Sequence, residues 1–190
     1  MDMVTKTENK KQQAAVSRAF DMYDWVGTAI FSLVMIVVIF TLLFRIVGVD
    51  GDSMKNTLQN GDRLILTSSL GYTPERGDIV VVNRYTDEPL VKRIIALEGE
   101  TVEITTDGRV LVNNKELDED YAYFENPHLG TPAKDLVIPQ TVPAGCVFVV
   151  GDNRQNSHDS RAADIGFVSV EDIVGEAVFR LWPFDTMGVL

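Results

Sequence analysis

The residues from Trp25 to Phe44 read WVGTAIFSLVMIVVIFTLLF, 20 positions without a charge. That is the length a helix needs to cross a hydrocarbon layer of about 30 Å. A helix packed on a soluble core keeps a polar face toward water, and this run has no charge anywhere round its circumference. A cleaved leader carries an apolar part of about 7 to 15 residues followed by a small-residue cleavage site. This run is longer and continues into FRIVGVD. The chain therefore divides into a tail over 1–24, a transmembrane anchor over 25–44 and a body over 45–190.

Basic residues near the ends of a span set its orientation. Lys6, Lys10, Lys11 and Arg18 precede the run, and Arg45, Lys55 and Arg63 follow within 20 residues. Four against three predicts a cytoplasmic N-terminus and an extracytoplasmic body, a single-pass arrangement in the cell membrane. Residues 46–190 hold 12 Lys or Arg against 24 Asp or Glu, a formal charge of −12. Such a body repels phosphate backbones and shows no basic stripe, so nucleic acid is excluded as a partner. The single Cys146 allows no intramolecular disulfide. In the apolar run CVFVV it reads as a small core residue.

After the anchor come short β-rich runs separated by Gly, Pro and Asp: RLILTSSL (63–70), DIVVVNRY (78–85), LVKRIIAL (90–97), TVEITT (101–106), RVLVN (109–113), CVFVVGD (146–152) and IVGEAVFRLW (173–182). Without sustained 3.6-residue periodicity they predict a mainly antiparallel β domain. TTDGRVLVN reads as a hairpin through Asp107-Gly108. Four of the seven prolines fall between Pro127 and Pro143, so residues 103–143 are expected as a small insertion running over the surface.

Three segments carry polar groups that could do chemistry. In VDGDSMKNTLQNGD, Ser53 sits in a Gly-Asp-Ser-Met turn. A serine nucleophile needs a base, and the chain has only His128 and His158, so a Ser-His-Asp triad requires His158. The G-x-S-x-G elbow would need glycine where Lys55 stands, and S-x-x-K would need lysine where Asn56 stands. In LVKRIIAL, Lys92 and Arg93 interrupt an apolar strand. Adjacent strand residues point to opposite faces, so one of the two faces the interior or a site.

Desolvation disfavours the charged form of a buried lysine. At an ordinary value near 10.4 only about one molecule in 2,500 is neutral at pH 7, and a drop of about 3 units would make the free amine abundant. The third segment, GDNRQNSHDSR (151–161), concentrates charged and hydrogen-bonding groups beyond what a connection requires. Asp152, Asp159, Arg154 and Arg161 are expected to brace one another as an ion-paired frame, leaving Ser157 to hydrogen-bond an amine. Taken singly, each segment also fits a loop serine, an edge-strand charge pair or a solvated turn.

Together, GDSMKNTLQNGD, RGDIVVV, LVKRIIALEGETVEI and GDNRQNSHDSR followed by Gly166-Phe167, in that order behind one anchor, resemble the type I signal peptidases. Those are membrane-bound Ser-Lys endopeptidases of the signal-peptidase/LexA-like β fold that remove signal peptides from exported preproteins. The lysine and the short insertion are similar to the bacterial, Gram-positive-like branch. The resemblance implies Ser53 as nucleophile and Lys92 as general base. It also implies Ser157 orienting the lysine, with Arg93, Asp152, Asp159 and Arg161 supporting through ion pairs, and it implies no cofactor and no metal.

Two positions depart from the family pattern. Asn56 replaces the usual proline after the nucleophile. Gly51 replaces a serine whose hydroxyl helps hold the oxyanion in one branch, so the Ser53 N–H must act with another group or with the Gly51 amide. The implied substrate is an extended signal peptide with small residues at −3 and −1, adding as a strand beside the segment entering Ser53 and the strand near Lys92. Trp182 and Phe184, beside Phe179, read either as core or as an aromatic patch on membrane lipid. Two other readings stay open: a LexA-like protein that cuts itself, though such proteins carry a DNA-binding domain in place of an anchor, and an anchored β domain that binds peptides without cutting.

Overall fold

The computed structural model describes residues 2–69, 71–83, 88–135 and 139–190, so Leu70, Arg84 and Tyr85 of the expected strand runs lie outside the described residues. Two compact units result, one before and one after the junction of Leu43 and Phe44. The first is a helix, α1 (Asp2–Leu43), whose apolar stretch runs from Met22 to Leu43 with a mean hydropathy of 2.7. This stretch starts three residues earlier than the expected span, because Asp24 interrupts the uncharged run without interrupting the helix. It also stops one residue earlier, because Phe44 already pairs with Thr67 in a sheet.

The second unit is built on β1 (Phe44–Gly48), β2 (Arg63–Thr67), β3 (Ile79–Val82), β4 (Leu90–Ala96), β5 (Thr101–Ile104), β6 (Val110–Val112), β7 (Lys115–Glu116), β8 (Gln140–Thr141), β9 (Cys146–Val150), β10 (Val168–Ser169), β11 (Ile173–Trp182) and β12 (Gly188–Val189). Among the described residues, eight strands form one antiparallel sheet in the order β1-β2-β11-β3-β4-β9-β10, with β12 on β11. All four residues of β3 are buried, as are four of the five in β9. Strands covered on both faces read as unbroken apolar runs, which is why DIVVV and CVFVV were legible.

The stretch expected as a surface insertion is a second layer instead. β7-β6-β5-β8 make a four-stranded sheet that starts at Thr101. Val102, Ile104, Val110, Val112 and Val142 bury one face of it against Ile95, Phe148 and Val150 of the main sheet. Polar and proline-rich connections hide this from a sequence reading, because each of its strands is only two to four residues long. The expected hairpin is present: β5 and β6 pair antiparallel around Asp107-Gly108. Cys146 is half-buried against this same core.

Candidate active site

Hydrophobic anchoring decides which way the Ser53 turn faces. Met54 and Leu58 are fully buried beside Val49, Leu64, Leu66 and Ile79, so Ser53 between them and the surface is left partly exposed. Gly51 enters the turn at φ +88, the left-handed region that glycine adopts without penalty. The turn is fixed from the far side of the fold, since the Asn153 backbone N–H donates to the Ser53 carbonyl at 3.0 Å and Asn153 Nδ2 to the Asp52 carbonyl at 3.1 Å.

β4 brings Lys92 to this turn from the centre of the sheet, where it pairs opposite Val80. Its Nζ lies 2.7 Å from Ser53 Oγ and donates to the Val91 carbonyl at 2.8 Å. Lys92 is 2% exposed. Burial pulls its pKa from 10.5 down to about 8, assisted by the positive charges of Arg161 and Lys134 and opposed by Asp159 and Asp152. The neutral fraction at pH 7 rises accordingly from about one molecule in 3,000 to about one in ten. In the charged state the amine donates to the serine; once neutral, its lone pair can accept the serine proton.

Arg93, on the opposite face of β4, grips Asp152 through two hydrogen bonds of 2.9 and 2.8 Å and donates to the Gly77 carbonyl at 2.7 Å. Thr57 Oγ1 donates to the same Asp152 carboxylate at 2.5 Å, tying the Ser53 turn to the frame. Asp159 and Arg161, both fully buried, form a second bidentate pair at 2.7 and 2.6 Å. Burial pushes the Asp159 carboxyl up, but the Arg161 guanidinium and the Gly151 N–H outweigh it and hold it below the usual carboxylate range.

Three expectations need correction. Arg154 does not pair with the aspartates of its own loop: its guanidinium is bound by Glu119 at 2.8 and 2.9 Å, from the second layer. The Gly51 N–H is not free to hold an oxyanion, because it donates to Asn60 Oδ1 at 3.1 Å. Among the described residues the Ser53 N–H has no protein acceptor, so it alone of the two expected donors stays open. Ser157 does reach the site, but no hydrogen bond joins its buried Oγ to Lys92. It lies against the Asp159 carboxylate and against Gly151, where a Cβ would stand 2.2 Å from Ser157 Oγ and 2.5 Å from the Ser53 carbonyl. Only glycine fits that gap.

His158 takes no part: it is exposed and bonded to Asp164 at 2.8 Å. The sequence reading missed Glu119, Tyr121, Asn153 and Thr57. The Tyr121 ring lies 4.2 Å from the Arg93 guanidinium and 5.7 Å from that of Arg154. The tyrosines and phenylalanine of DYAYFE, set in an otherwise polar stretch, were the available signal: aromatics on a free surface excursion have nothing to pack against.

A partly exposed serine hydroxyl against a buried amine, framed by two ion pairs on a β domain, can act as a nucleophile with its base. The comparisons agree with a peptidase. Residues 22–182 match the family described as signal peptidase, peptidase S26. Signal peptidase I S of Bacillus subtilis is 36% identical over 90% of this chain and 95% of its own length, and a signal peptidase I of Bacillus amyloliquefaciens is 36% identical over 97% and 98%. A crystal structure of a signal peptidase I from Enterococcus faecalis is 35% identical, covering 55% of this chain and 97% of that one with a TM-score of 0.46. The chain belongs to this family and is a serine peptidase that removes signal peptides from preproteins.

Proposed function

We propose that Ser53 and Lys92 carry the peptidase reaction. Neutral Lys92 accepts the proton of Ser53 Oγ as that oxygen attacks the scissile carbonyl carbon, and the Ser53 N–H faces the oxyanion that forms. The ammonium of Lys92 then gives the proton to the departing amine of the mature chain, leaving an acyl-enzyme on Ser53. Water, deprotonated by the same amine, attacks the ester, and proton return to Ser53 Oγ releases the signal peptide. The observation that carries this reading is the buried Lys92 Nζ 2.7 Å from Ser53 Oγ. Ser53→Ala and Lys92→Ala are each expected to lower kcat/KM for a preprotein by about 10²-fold or more while leaving the fold intact by circular dichroism. Near wild-type turnover by Lys92→Ala would remove the amine from the mechanism.

Recognition of small residues at −3 and −1 follows from strand geometry. Among the described residues β9 pairs with β4 only from Arg93 onward, so Leu90–Lys92 offers an open edge there beside the Ser53 turn. A signal peptide adding there as a strand would turn alternate side chains toward the same surface. The helix from Met22 to Leu43 is the membrane anchor in this reading, with its N-terminus cytoplasmic and the β unit outside. A lipid surface meets the β unit at Trp182 and Phe184, which stack edge to face at 4.7 Å while 46% and 69% exposed. They share a cavity of about 530 Å³ with Arg63 and Leu181. A cation beside aromatics suits the headgroup layer.

A further inference from the structure

The segment Thr131–Asp135 had no role in the sequence reading, yet it is stitched along the Gly151–Arg161 loop. Arg154 Nη1 donates to Thr131 Oγ1 at 3.4 Å, and Arg161 Nη1 donates to the Pro132 carbonyl at 3.1 Å. Lys134 Nζ donates to the Ser157 carbonyl in a short bond, and beyond the loop the Ala163 N–H reaches Asp135 Oδ2 at 3.5 Å. Thr131 is itself buried and bonded back to the Gly108 carbonyl. Lys134 holds φ at +54, a conformation uncommon for a residue with a side chain and retained where surroundings enforce it. It turns its ammonium inward at the rim of the site.

The charges around the two amines overlap. Lys134 faces Arg161, Asp159, Asp135 and Asp164, whereas Lys92 faces Asp159, Arg161, Lys134 and Asp152. Both oxygens of Asp159 are already bonded to Arg161, and both of Asp152 to Arg93. Each carboxylate is thus shared: it is hydrogen-bonded to its arginine while still attracting the Lys92 amine, so the positive charges of Arg161 and Lys134 only partly oppose it. Burial and the Arg161 charge lower the Lys134 pKa from its ordinary value, opposed by Asp159, Asp135 and Asp164, while the Ser157 carbonyl that accepts from the ammonium favours its protonated form.

We propose that Lys134 is a positioning residue for the reaction: bonded to the Ser157 carbonyl, it holds the Gly151–Arg161 loop beside Lys92 and sets a fixed positive charge that opposes a second one on the Lys92 amine. This rests on Lys92 being the base. The device works through charge at the rim, so added salt weakens it.

The test is the pH dependence of kcat/KM at low salt for the full chain in detergent, cleaving a preprotein peptide. In Lys134→Met and Lys134→Gln the limb that reports Lys92 is expected to move to higher pH by about half a unit. That is a roughly threefold loss of kcat/KM on the acid side which disappears at high pH. Lys134→Arg is expected to keep the wild-type limb. Gln can still donate to the Ser157 carbonyl without the charge, so it carries the test even where Met disturbs folding. A Gln profile coinciding with wild type, or a loss of equal size at every pH, would overturn the proposal. Failure of the underlying reading looks different. If Lys92 is not the base, Lys92→Ala keeps its turnover, whereas failure of the Lys134 role leaves Lys92→Ala inactive and the wild-type limb unmoved.

Discussion

Lys92 carries its cost in a form that can be titrated. Its folded pKa of about 8 lies below the ordinary 10.5, so between those values the unfolded chain binds more protons and stability rises with pH. Below about pH 8 the residue costs the fold about 3 kcal/mol, and the cost vanishes above about 10.5. Replacing the amine by an apolar chain of similar length removes this pH dependence. Lys92→Met is therefore expected to lose activity yet gain on wild type in urea midpoint at pH 7, with the gain shrinking as the pH is raised to about 10.5. A constant difference across that range would place the folded pKa elsewhere. Lys92, Arg93, Asp152, Asp159 and Arg161 stood out because each is an anomaly of its context, a charge in a greasy strand or in a crowded polar loop, whereas Ser53 stood out only through the order of the motifs around it. Who bonds to whom was not legible. The Arg154–Glu119 pair joins positions 35 apart, and nothing local to either residue announces the other.

At the scale of elements, the loop that frames the site depends on a layer the sequence disguised. Arg154 is wholly buried and its only carboxylate partner among the described residues is Glu119, 11% exposed. Removing one member of a buried pair leaves the other charge uncompensated and costs about 3 to 5 kcal/mol. Glu119→Ala is expected to destabilise by that amount in denaturant unfolding, and Glu119→Gln by less, since the amide oxygen still accepts from the guanidinium. Equal stability of Glu119→Ala and wild type would show that water reaches Arg154. Strands β3 and β9 announced themselves by continuous apolar runs, and β4 and β11 by longer runs that a few charged residues interrupt. β7 and β8, two residues each, are too short for any periodicity to show, and only their partners make them strands.

For the whole molecule, the division at Leu43 and Phe44 predicts where the chain can be cut. β1 pairs with β2 through all five of its residues, so a chain beginning at Phe44 keeps the edge of the main sheet, and one beginning at Val49 exposes β2. The longer of the two is expected to fold and to bind vesicles of zwitterionic lipid by flotation, with binding lost when Trp182 and Phe184 are both changed to Ala. Unchanged flotation of that double variant would count the aromatics as ordinary surface. The apolar helix, the β class and the peptidase family were readable because apolar length and motif order are properties of the chain itself, whereas the two-layer architecture is a property of contacts. The tyrosine shared by Arg93 and Arg154 has one more consequence. Because its ring lies against guanidiniums that anchor separate carboxylates, a descendant of this chain that pruned the stretch between Glu119 and Tyr123 would not be trimming ornament. It would unseat the scaffolding behind the Ser53 turn, so variation in length among kin should accumulate elsewhere.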